Sequence, residues 1–478
     1  MLHASPPLRP IISWSKRRAL GLCHSFFGCD LVTRKISRIA TSQGIEHDLL
    51  MAKNFSHLKI TSEKVFAPAQ DFALSILKNR KLAQYVRHVS LDYHPYGGFP
   101  AQALSYKITT EAELEKEASF KAAITEQKWN KADATELLKR LMTTSPSDPE
   151  LMEPSSHELF PDAVVALLLP ILPNVQKLTV STIGQPSYVE KAIQRAKDEI
   201  FGSISVTHVE ILAVDVYNER EWADCDFPAF KIFPNLPSLK RISGEGIGGI
   251  GIEDGGTYYD IPSKASAVRE IDLRDCELSG HCLSTIINFS TGLEVFTYRF
   301  GGRRSGDGTG IVFTPELAKA LTPHRLMMRS LDIDSDGLSY QSLEADFEGF
   351  AAMLESDDLH KLNAFPFEPI DNKANVERWA EEMKSDPYFP NLTHLRIGIK
   401  LASRFAVLSG KKTLAEWLPA GLEELELVGY DPDESPFMND EVTEVVQQRE
   451  KLLPKLKVLK GVEEYIENGH ELADEEDS

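Results

Sequence analysis

A spaced series of apolar triplets constrains this chain more than any other feature of its sequence. The triplets follow the register L-x-x-L-x-L and occur at Val86-Val89-Leu91, Val175-Leu178-Val180, Val206-Val209-Ile211, Val268-Ile271-Leu273, Met328-Leu331-Ile333, Leu392-Leu395-Ile397 and Leu422-Leu425-Leu427. Apolar residues that alternate with polar ones are typical of a half-buried strand. The strand returns about every 25 to 35 residues, which leaves room for a helix between returns.

Such a series predicts an α/β fold, an irregular leucine-rich-repeat solenoid with parallel strands on the concave side and helices on the convex side. With weaker units included, the middle apolar position recurs at Leu178, Val209, Ile242, Ile271, Phe296, Leu331, Leu362, Leu395, Leu425 and Leu459. Helical connectors are predicted at Tyr188 to Ile200, Cys282 to Phe289, Pro315 to Leu321, Leu343 to Leu354, Asn375 to Lys384 and Val442 to Leu453.

The same pattern divides the chain into segments. We expect residues 1–50 to form a basic and poorly ordered leader, and residues 51–84 to form an N-terminal helical cap. The solenoid spans 85–465 and carries a helical insertion at about 105–155, which is rich in Glu, Lys and Ala. Residues 466–478 form an acidic tail, since a run of like charge usually remains solvated.

The triplets also predict which side chains share the outer face of the sheet. Apolar positions enter the core, so the residues between them point outward. Two further candidates, Arg303 and Arg304, come from the Gly-rich loop at 301–308. The candidate partner-binding residues are therefore His208, Glu210, Glu270, Asp272, Arg274, Arg299, Arg303, Arg304, Asp332, Asp334, His394, Arg396, Glu424 and Glu426. A plain solvated sheet face is the alternative interpretation.

Composition excludes several classes of function. The formal net charge of −20 argues against nucleic acid as a partner and favours a basic or neutral protein. No apolar run approaches the length of a membrane span, so we expect no membrane insertion. The five cysteines are too scattered for a disulfide framework or a zinc site, which suggests a reduced, cytoplasmic or nuclear protein. The Arg-rich leader leaves mitochondrial targeting as a minor alternative.

Two motifs that could carry chemistry lack the required context. Gly244 to Gly249 fits G-x-G-x-x-G, but the sequence predicts that it belongs to a flexible inter-repeat loop that continues to Pro262, with no helix to hold a pyrophosphate. Asp332 to Gly337 opens like a calcium loop, but its twelfth position is Leu343. No nucleophile motif is present. We therefore expect no cofactor, no metal and no enzymatic activity.

Several stretches of the sequence resemble one known family. Asn54 to Glu63, Phe72 to Leu77 and Leu82 to Leu91 are similar to the passage from the F-box into the first repeat of fungal F-box/leucine-rich-repeat proteins. The repeat openings Leu169 to Leu178, Phe233 to Leu239 and Phe389 to Leu395 look like the same family's L-P-N-L-x-x-L motif. The L-P-x-E-[IL] helix that opens an F-box has no recognisable counterpart here, and Phe160 to Val165 is interpreted as a repeat helix.

The resemblance implies a non-catalytic protein-recognition module, the substrate receptor of an SCF-type ubiquitin ligase. The Skp-type adaptor of a cullin-RING ligase is then a possible second partner, in doubt without an F-box. A stand-alone leucine-rich-repeat scaffold with no ubiquitin-ligase link is the alternative.

Overall fold

The computed structural model describes residues 55–61, 66–92, 110–142, 154–181, 188–212, 235–249, 263–278, 280–300, 314–334, 389–411, 413–431 and 438–462. Two compact units are present. The first contains Met1–Asp92, Gly97–Gln176 and Pro186–Ile204, and the second contains Tyr93–Tyr96, Lys177–Gln185 and Ser205–Ser478. The division differs from the predicted boundary at residues 84 and 85, because the first triplet strand and the inserted helices belong to the first unit.

The first unit has two strands and five helices among its described residues. The strands are β1 (His57–Thr61) and β2 (His88–Asp92), which pair in parallel from His57 opposite His88 to Thr61 opposite Asp92. The helices are α1 (Phe66–Lys78), α2 (Glu111–Glu126), α3 (Lys131–Leu141), α4 (Pro154–Leu168) and α5 (Tyr188–Lys197), with 3-10 turns at Arg80–Tyr85 and Leu169–Ile171. The prediction of a purely helical cap was wrong, since β1 lies within it.

Local capping interactions explain where these helices begin. Thr110 and Glu113 form a capping box at the start of α2. Asp162, buried within α4, accepts hydrogen bonds from the amides of Tyr188 at 2.6 Å and Val189 at 3.0 Å. A carboxylate at a helix N-terminus satisfies free amides and the helix dipole together. The motif Phe160 to Val165 therefore lies within a helix, as predicted, and its Asp162 fixes α5.

The second unit contains a sheet of nine parallel strands in sequential order among its described residues. These are β3 (Lys177–Ser181), β4 (His208–Leu212), β5 (Arg241–Glu245), β7 (Glu270–Leu278), β8 (Val295–Phe300), β9 (Ser330–Asp334), β10 (His394–Gly398), β11 (Glu424–Val428) and β12 (Val458–Lys460), while the short β6 (Gly248–Gly249) pairs with β7 alone. The α/β class with an all-parallel, open, solenoid-like sheet is thus confirmed.

A single backbone arrangement starts most of these strands. The amides of two successive residues donate to one carbonyl of the preceding repeat, as Arg269 and Glu270 do to Lys240, and Glu423 and Glu424 to Thr393. The Pro-Asn openings add a side-chain bond, because Asn391 Nδ2 donates to the carbonyl of Leu326 at 2.7 Å. Asn174 makes the same bond to Gln84 in the first unit, at 2.9 Å. These bonds set the register of successive repeats.

The core of the second unit lies between the sheet and one layer of helices. The helices are α6 (Gly280–Asn288), α7 (Thr314–Leu321), α8 (Ile399–Leu408), α9 (Leu414–Trp417) and α10 (Asn439–Leu452), which pack against one another in chain order. The strand residues facing them, such as Ile271, Leu331 and Leu425, are at most 1% exposed. Burial of this apolar surface is the main stabilising term. No described helix is long and apolar enough to cross a membrane.

Candidate functional site

The candidate site is the side of the second unit's sheet opposite the helices, here called the open face. Strand pairing aligns its side chains into rows that cross the strands. The central row, in strand order, consists of Thr179, Glu210, Ser243, Asp272, Thr297, Asp332, Arg396, Glu426 and Lys460. Acidic residues therefore recur on every second strand from β4 to β9, with a hydroxyl residue between them.

The first acidic groups of the central row are neutralised by neighbouring strands. Lys177 Nζ lies 2.8 Å from Glu210 Oε1, and Thr179 Oγ1 donates to the same carboxylate at 2.8 Å. Burial alone would raise the pKa of Glu210, but the hydrogen bonds from Lys177 and Thr179 and the charge of Lys177 lower it below its ordinary value. Glu210 is therefore held as a charged acceptor rather than as a proton donor.

Two arginines enclose Asp272, which is 8% exposed. Arg241, on the neighbouring β5, contacts Asp272 at 3.0 Å. Arg274, which lies on β7 like Asp272 itself, contacts it at 2.9 Å. Arg241 also reaches Glu270 at 3.1 Å. The hydrogen bonds and charge of Asp272 raise the pKa of Arg274 above its ordinary value. A small carboxylate is thus covered by two guanidinium groups, of which that of Arg274 remains 54% exposed.

Arg396 is the centre of the largest ionic cluster on the open face. Its three nitrogens lie 3.0 Å from Asp332, 2.7 Å from Asp334 and 2.8 Å from Glu426, while Arg299 reaches Asp332 at 2.8 Å. Burial alone would lower the pKa of Arg396, but its hydrogen bonds to Asp334, Glu426 and Asp332 raise it well above its ordinary value. The cluster joins β8, β9, β10 and β11 and has one more negative charge than positive.

His208 is a neutral member of the same face. Its Nε2 atom lies 2.8 Å from Ser243 Oγ, and partial burial together with the charges of Lys177 and Arg241 lowers the pKa of His208 to about 4. By contrast, His394 on β10 is 49% exposed and lies 3.3 Å from Glu424, which is 50% exposed. The open face therefore has a half-buried central row and charged groups that project into solvent near β11.

The structure brings most of the predicted residues into two groups. Glu270, Asp272 and Arg274 meet around Asp272, and Arg299, Asp332, Asp334, Arg396 and Glu426 meet around Arg396. His208 and Glu210 lie with Lys177 near β3, and His394 and Glu424 form a separate pair. Arg303 and Arg304 lie outside the described residues. The structure adds to the predicted mixed-charge strip that these charges are paired with one another.

Some residues that contact the predicted ones were not among the candidate residues. Arg241 and Ser243 lie on β5, whose triplet Leu239-Ile242-Gly244 lacks its third apolar residue. The alternation on either side of Ile242 was the signal that could have identified them.

The Gly-rich motif has a packing role in the structure. A Cβ atom on Gly244 would lie 2.3 Å from Ile247 Cδ1 and 3.1 Å from Leu273 Cδ2, so the side chain of Ile247 occupies the space that a β5 side chain would take. Gly246 has a φ of +68°, which allows the turn that returns Ile247 to the core. The flexible-loop interpretation was therefore wrong for Gly244 to Gly249, which β5, the turn and β6 organise.

Metal ligation receives no support from the described part of the chain. No group of three or more His, Cys, Asp or Glu side chains there is placed to hold a metal ion. The first two carboxylates of the calcium-like stretch, Asp332 and Asp334, are bound to Arg396. Residues 335–343 of that stretch lie outside the described residues. Cys276 and Cys282 are both buried.

Comparison with known proteins adds no family to this description. The chain matches no protein-family model and is not significantly similar to any curated protein.

Proposed function

We propose that this chain is a non-catalytic protein-recognition module that binds its partner through the open face. The observation that supports the proposal most is the alignment of ionic and hydroxyl side chains across nine parallel strands, with Arg274 and Glu424 at least half exposed. A charged sheet face with a regular strand register offers a partner many groups in fixed positions, which favours specificity. The Ser243–His208 pair on this face gives little support for catalysis, because the pKa of His208 is lowered to about 4 and its imidazole is then a weak general base near neutral pH.

The exposed part of the open face near β11 is the best contact candidate. Glu424 and Glu426 on β11 are 50% and 40% exposed, whereas Arg396 on the neighbouring β10 is 21% exposed and bonded to carboxylates through all three of its side-chain nitrogens. Carboxylates with an exposed edge can accept further hydrogen bonds from a Lys or Arg side chain of the partner. A protein with a basic contact segment is therefore the partner that this region favours.

Repeat identity forms a further part of the proposal. The sequential parallel strands, the packing of the described helices on one side of the sheet and the Asn391 bond between repeats support a leucine-rich-repeat solenoid whose strands lie on the concave side. By resemblance, the chain would then be the substrate receptor of an SCF-type ubiquitin ligase in the cytoplasm or nucleus. A stand-alone scaffold of the same fold remains the alternative, since the resemblance includes no F-box opening helix.

A charge-reversal experiment tests the open face. Glu424→Lys together with Glu426→Lys should reduce the amount of captured partner at least about tenfold, as expected for the loss of one or two interfacial ion pairs. The matched control is Glu444→Lys with Glu450→Lys on α10, which changes the net charge equally but lies on the helix layer. Equal capture by both variants would place the binding surface elsewhere.

The ligase link needs a separate experiment. The purified full-length chain is mixed with the Skp-type adaptor and binding is measured by size-exclusion chromatography. A stable complex supports the substrate-receptor role, and separate elution of the two proteins leaves the stand-alone scaffold.

A further inference from the structure

A basic and partly apolar patch lies at the edge where the strands of the second unit begin. We call it the leading-edge patch, and it consists of Lys240, Lys264, Arg269, Arg325, Leu326, Met327 and Arg329. It is separate from the open face, because these residues precede the strands or belong to the turns between helices and strands. Five of its seven residues are basic, although the chain has a formal net charge of −20.

Backbone hydrogen bonds place the charges of this patch side by side. The amide of Arg269 donates to the carbonyl of Lys240, that of Glu294 to Arg269, and that of Arg329 to Glu294, each at 2.8 Å. Glu294 lies 3.9 Å from both Arg269 and Arg329, so one carboxylate faces two guanidinium groups. The side chain of Arg329 remains 72% exposed. This row therefore has a net positive charge.

The apolar part of the patch is held outward by specific contacts. Arg269 Nη1 donates to the carbonyl of Gly292 at 2.7 Å and lies 3.7 Å from Met327 Sδ. The bond from Asn391 to the carbonyl of Leu326 fixes the same turn. Leu326 is nevertheless 63% exposed and Met327 is 36% exposed. Two apolar side chains are thus presented to solvent next to a row of described residues with a net positive charge, an arrangement that indicates a binding surface.

The chemistry of the patch fits an acidic polypeptide that also carries apolar side chains. Carboxylates would pair with Arg325, Arg329 and the two lysines, and an apolar side chain would cover Leu326 and Met327. A polyphosphate backbone would leave the apolar residues uncovered, and the large negative charge of the chain opposes both nucleic acid and anionic lipid surfaces.

Residues 463–478 of this chain have that composition. Of these 16 residues, eight are acidic, none is Lys or Arg, and Tyr465, Ile466 and Leu472 are apolar. We propose that this acidic segment binds the leading-edge patch of the same chain. An intramolecular segment has the advantage of an effective concentration in the millimolar range, which a separate acidic partner must exceed.

The connection is long enough for this contact. Only β11 and β10 lie between β12 and β9 in the sheet, so β9 is roughly 14 Å from β12 across the strands. The described chain reaches Val462, and the following 16 residues could span up to about 53 Å when extended. The segment can therefore reach the turn that precedes β9 with residues to spare.

Carbodiimide cross-linking of the full-length chain tests the contact directly, because this reagent joins a carboxylate to an amine only when they touch. We expect mass spectrometry to find cross-links from Lys240 or Lys264 to peptides within 463–478. Arg325→Glu with Arg329→Glu should lower their yield roughly fivefold or more, and raising the salt from about 0.05 M to about 0.5 M should do the same. The matched control, Lys451→Glu with Lys455→Glu, changes the net charge equally outside the patch.

Three results would overturn the proposal. Cross-links absent from the unmodified chain would leave the patch to a separate partner. A yield that is the same in the patch and control variants would assign the contact to another surface. Cross-links of hybrid mass in a mixture of isotopically light and heavy chains would show that a second copy supplies the acidic segment. None of these results depends on the open face.

Discussion

Arg396 and Arg274 both lie on the open face, but they differ in the number of carboxylates that they contact. Arg396 is 21% exposed and binds Asp332, Asp334 and Glu426, whereas Arg274 is 54% exposed and contacts Asp272. Removing a half-buried cation leaves its acidic partners desolvated without compensation, which is costly. An exposed ion pair contributes little.

We therefore predict that Arg396→Met lowers the free energy of unfolding by about 2 to 4 kcal/mol, and Arg274→Met by less than about 1 kcal/mol. Urea denaturation followed by circular dichroism measures both values. A loss as small for Arg396→Met as for Arg274→Met would show that the cluster does not join the strands energetically.

His208 should make stability depend on pH. The pKa of His208 is about 4 in the folded chain and 6.5 when unperturbed. Between these values the unfolded chain binds a proton that the folded chain does not, so stability falls as the pH is lowered from 6.5 to 4. After allowance for solvent screening, the loss should be about 2 kcal/mol.

His208→Gln keeps a partner for Ser243 and removes this titration. We predict that the variant loses less stability than the unmodified chain between pH 6.5 and 4.5. Glu210 of the folded chain takes up its proton below this window, since its pKa is lowered from 4.5. Parallel pH profiles of the two proteins would contradict the assignment.

At the residue scale, the sequence could predict which side chains share a face but not which of them pair. The alternation around Val209, Ile271 and Leu331 is sufficient to place their neighbours outward. The pairing of Arg396 with Asp332 and Glu426 depends on strand order and on the direction of a long side chain, and neither is encoded locally.

At the scale of the elements, β5 has a glycine, Gly244, at a core position, and the side chain of Ile247 from the following turn fills that place. Gly244 leaves the space that Ile247 Cδ1 fills. We predict that Gly244→Ala costs about 1 to 3 kcal/mol by overpacking, and that Ile247→Val alone costs about 0.5 to 1.5 kcal/mol. Because valine lacks Cδ1, the double variant should be less destabilised than the sum of the two. Simple additivity in thermal or urea denaturation would contradict this packing.

Elements with strong periodicity were predicted well. Every one of the seven triplets lies on or leads into a described strand, and the predicted helices at Tyr188, Cys282, Pro315 and Val442 correspond to α5, α6, α7 and α10. The prediction omitted β1, α8 and α9. Leu58 and Ile60 of β1, with Phe55 before it, fit the triplet register, but the prediction of a helical cap over 51–84 treated this segment as helical. α9 has only four residues and α8 follows β10 directly, so neither helix offers a separate periodic pattern. The predicted helices at 343–354 and 375–384 lie outside the described residues.

At the scale of the molecule, the described strands β3 to β12 follow one another in sequential, parallel order, and the described helices pack on one side of their sheet. This arrangement concentrates the helices on one side and leaves the other side to ionic and hydroxyl side chains. The central claim is that this second side, the open face, is the protein-binding surface.

Carboxylate footprinting of the chain alone and in its partner complex isolated from cells tests that claim most directly. The account predicts that labelling of Glu245, Glu424 and Glu426 on the open face decreases in the complex, while labelling of Glu444 and Glu450 on α10 is unchanged. Protection of the α10 residues with continued labelling of the open face would contradict it.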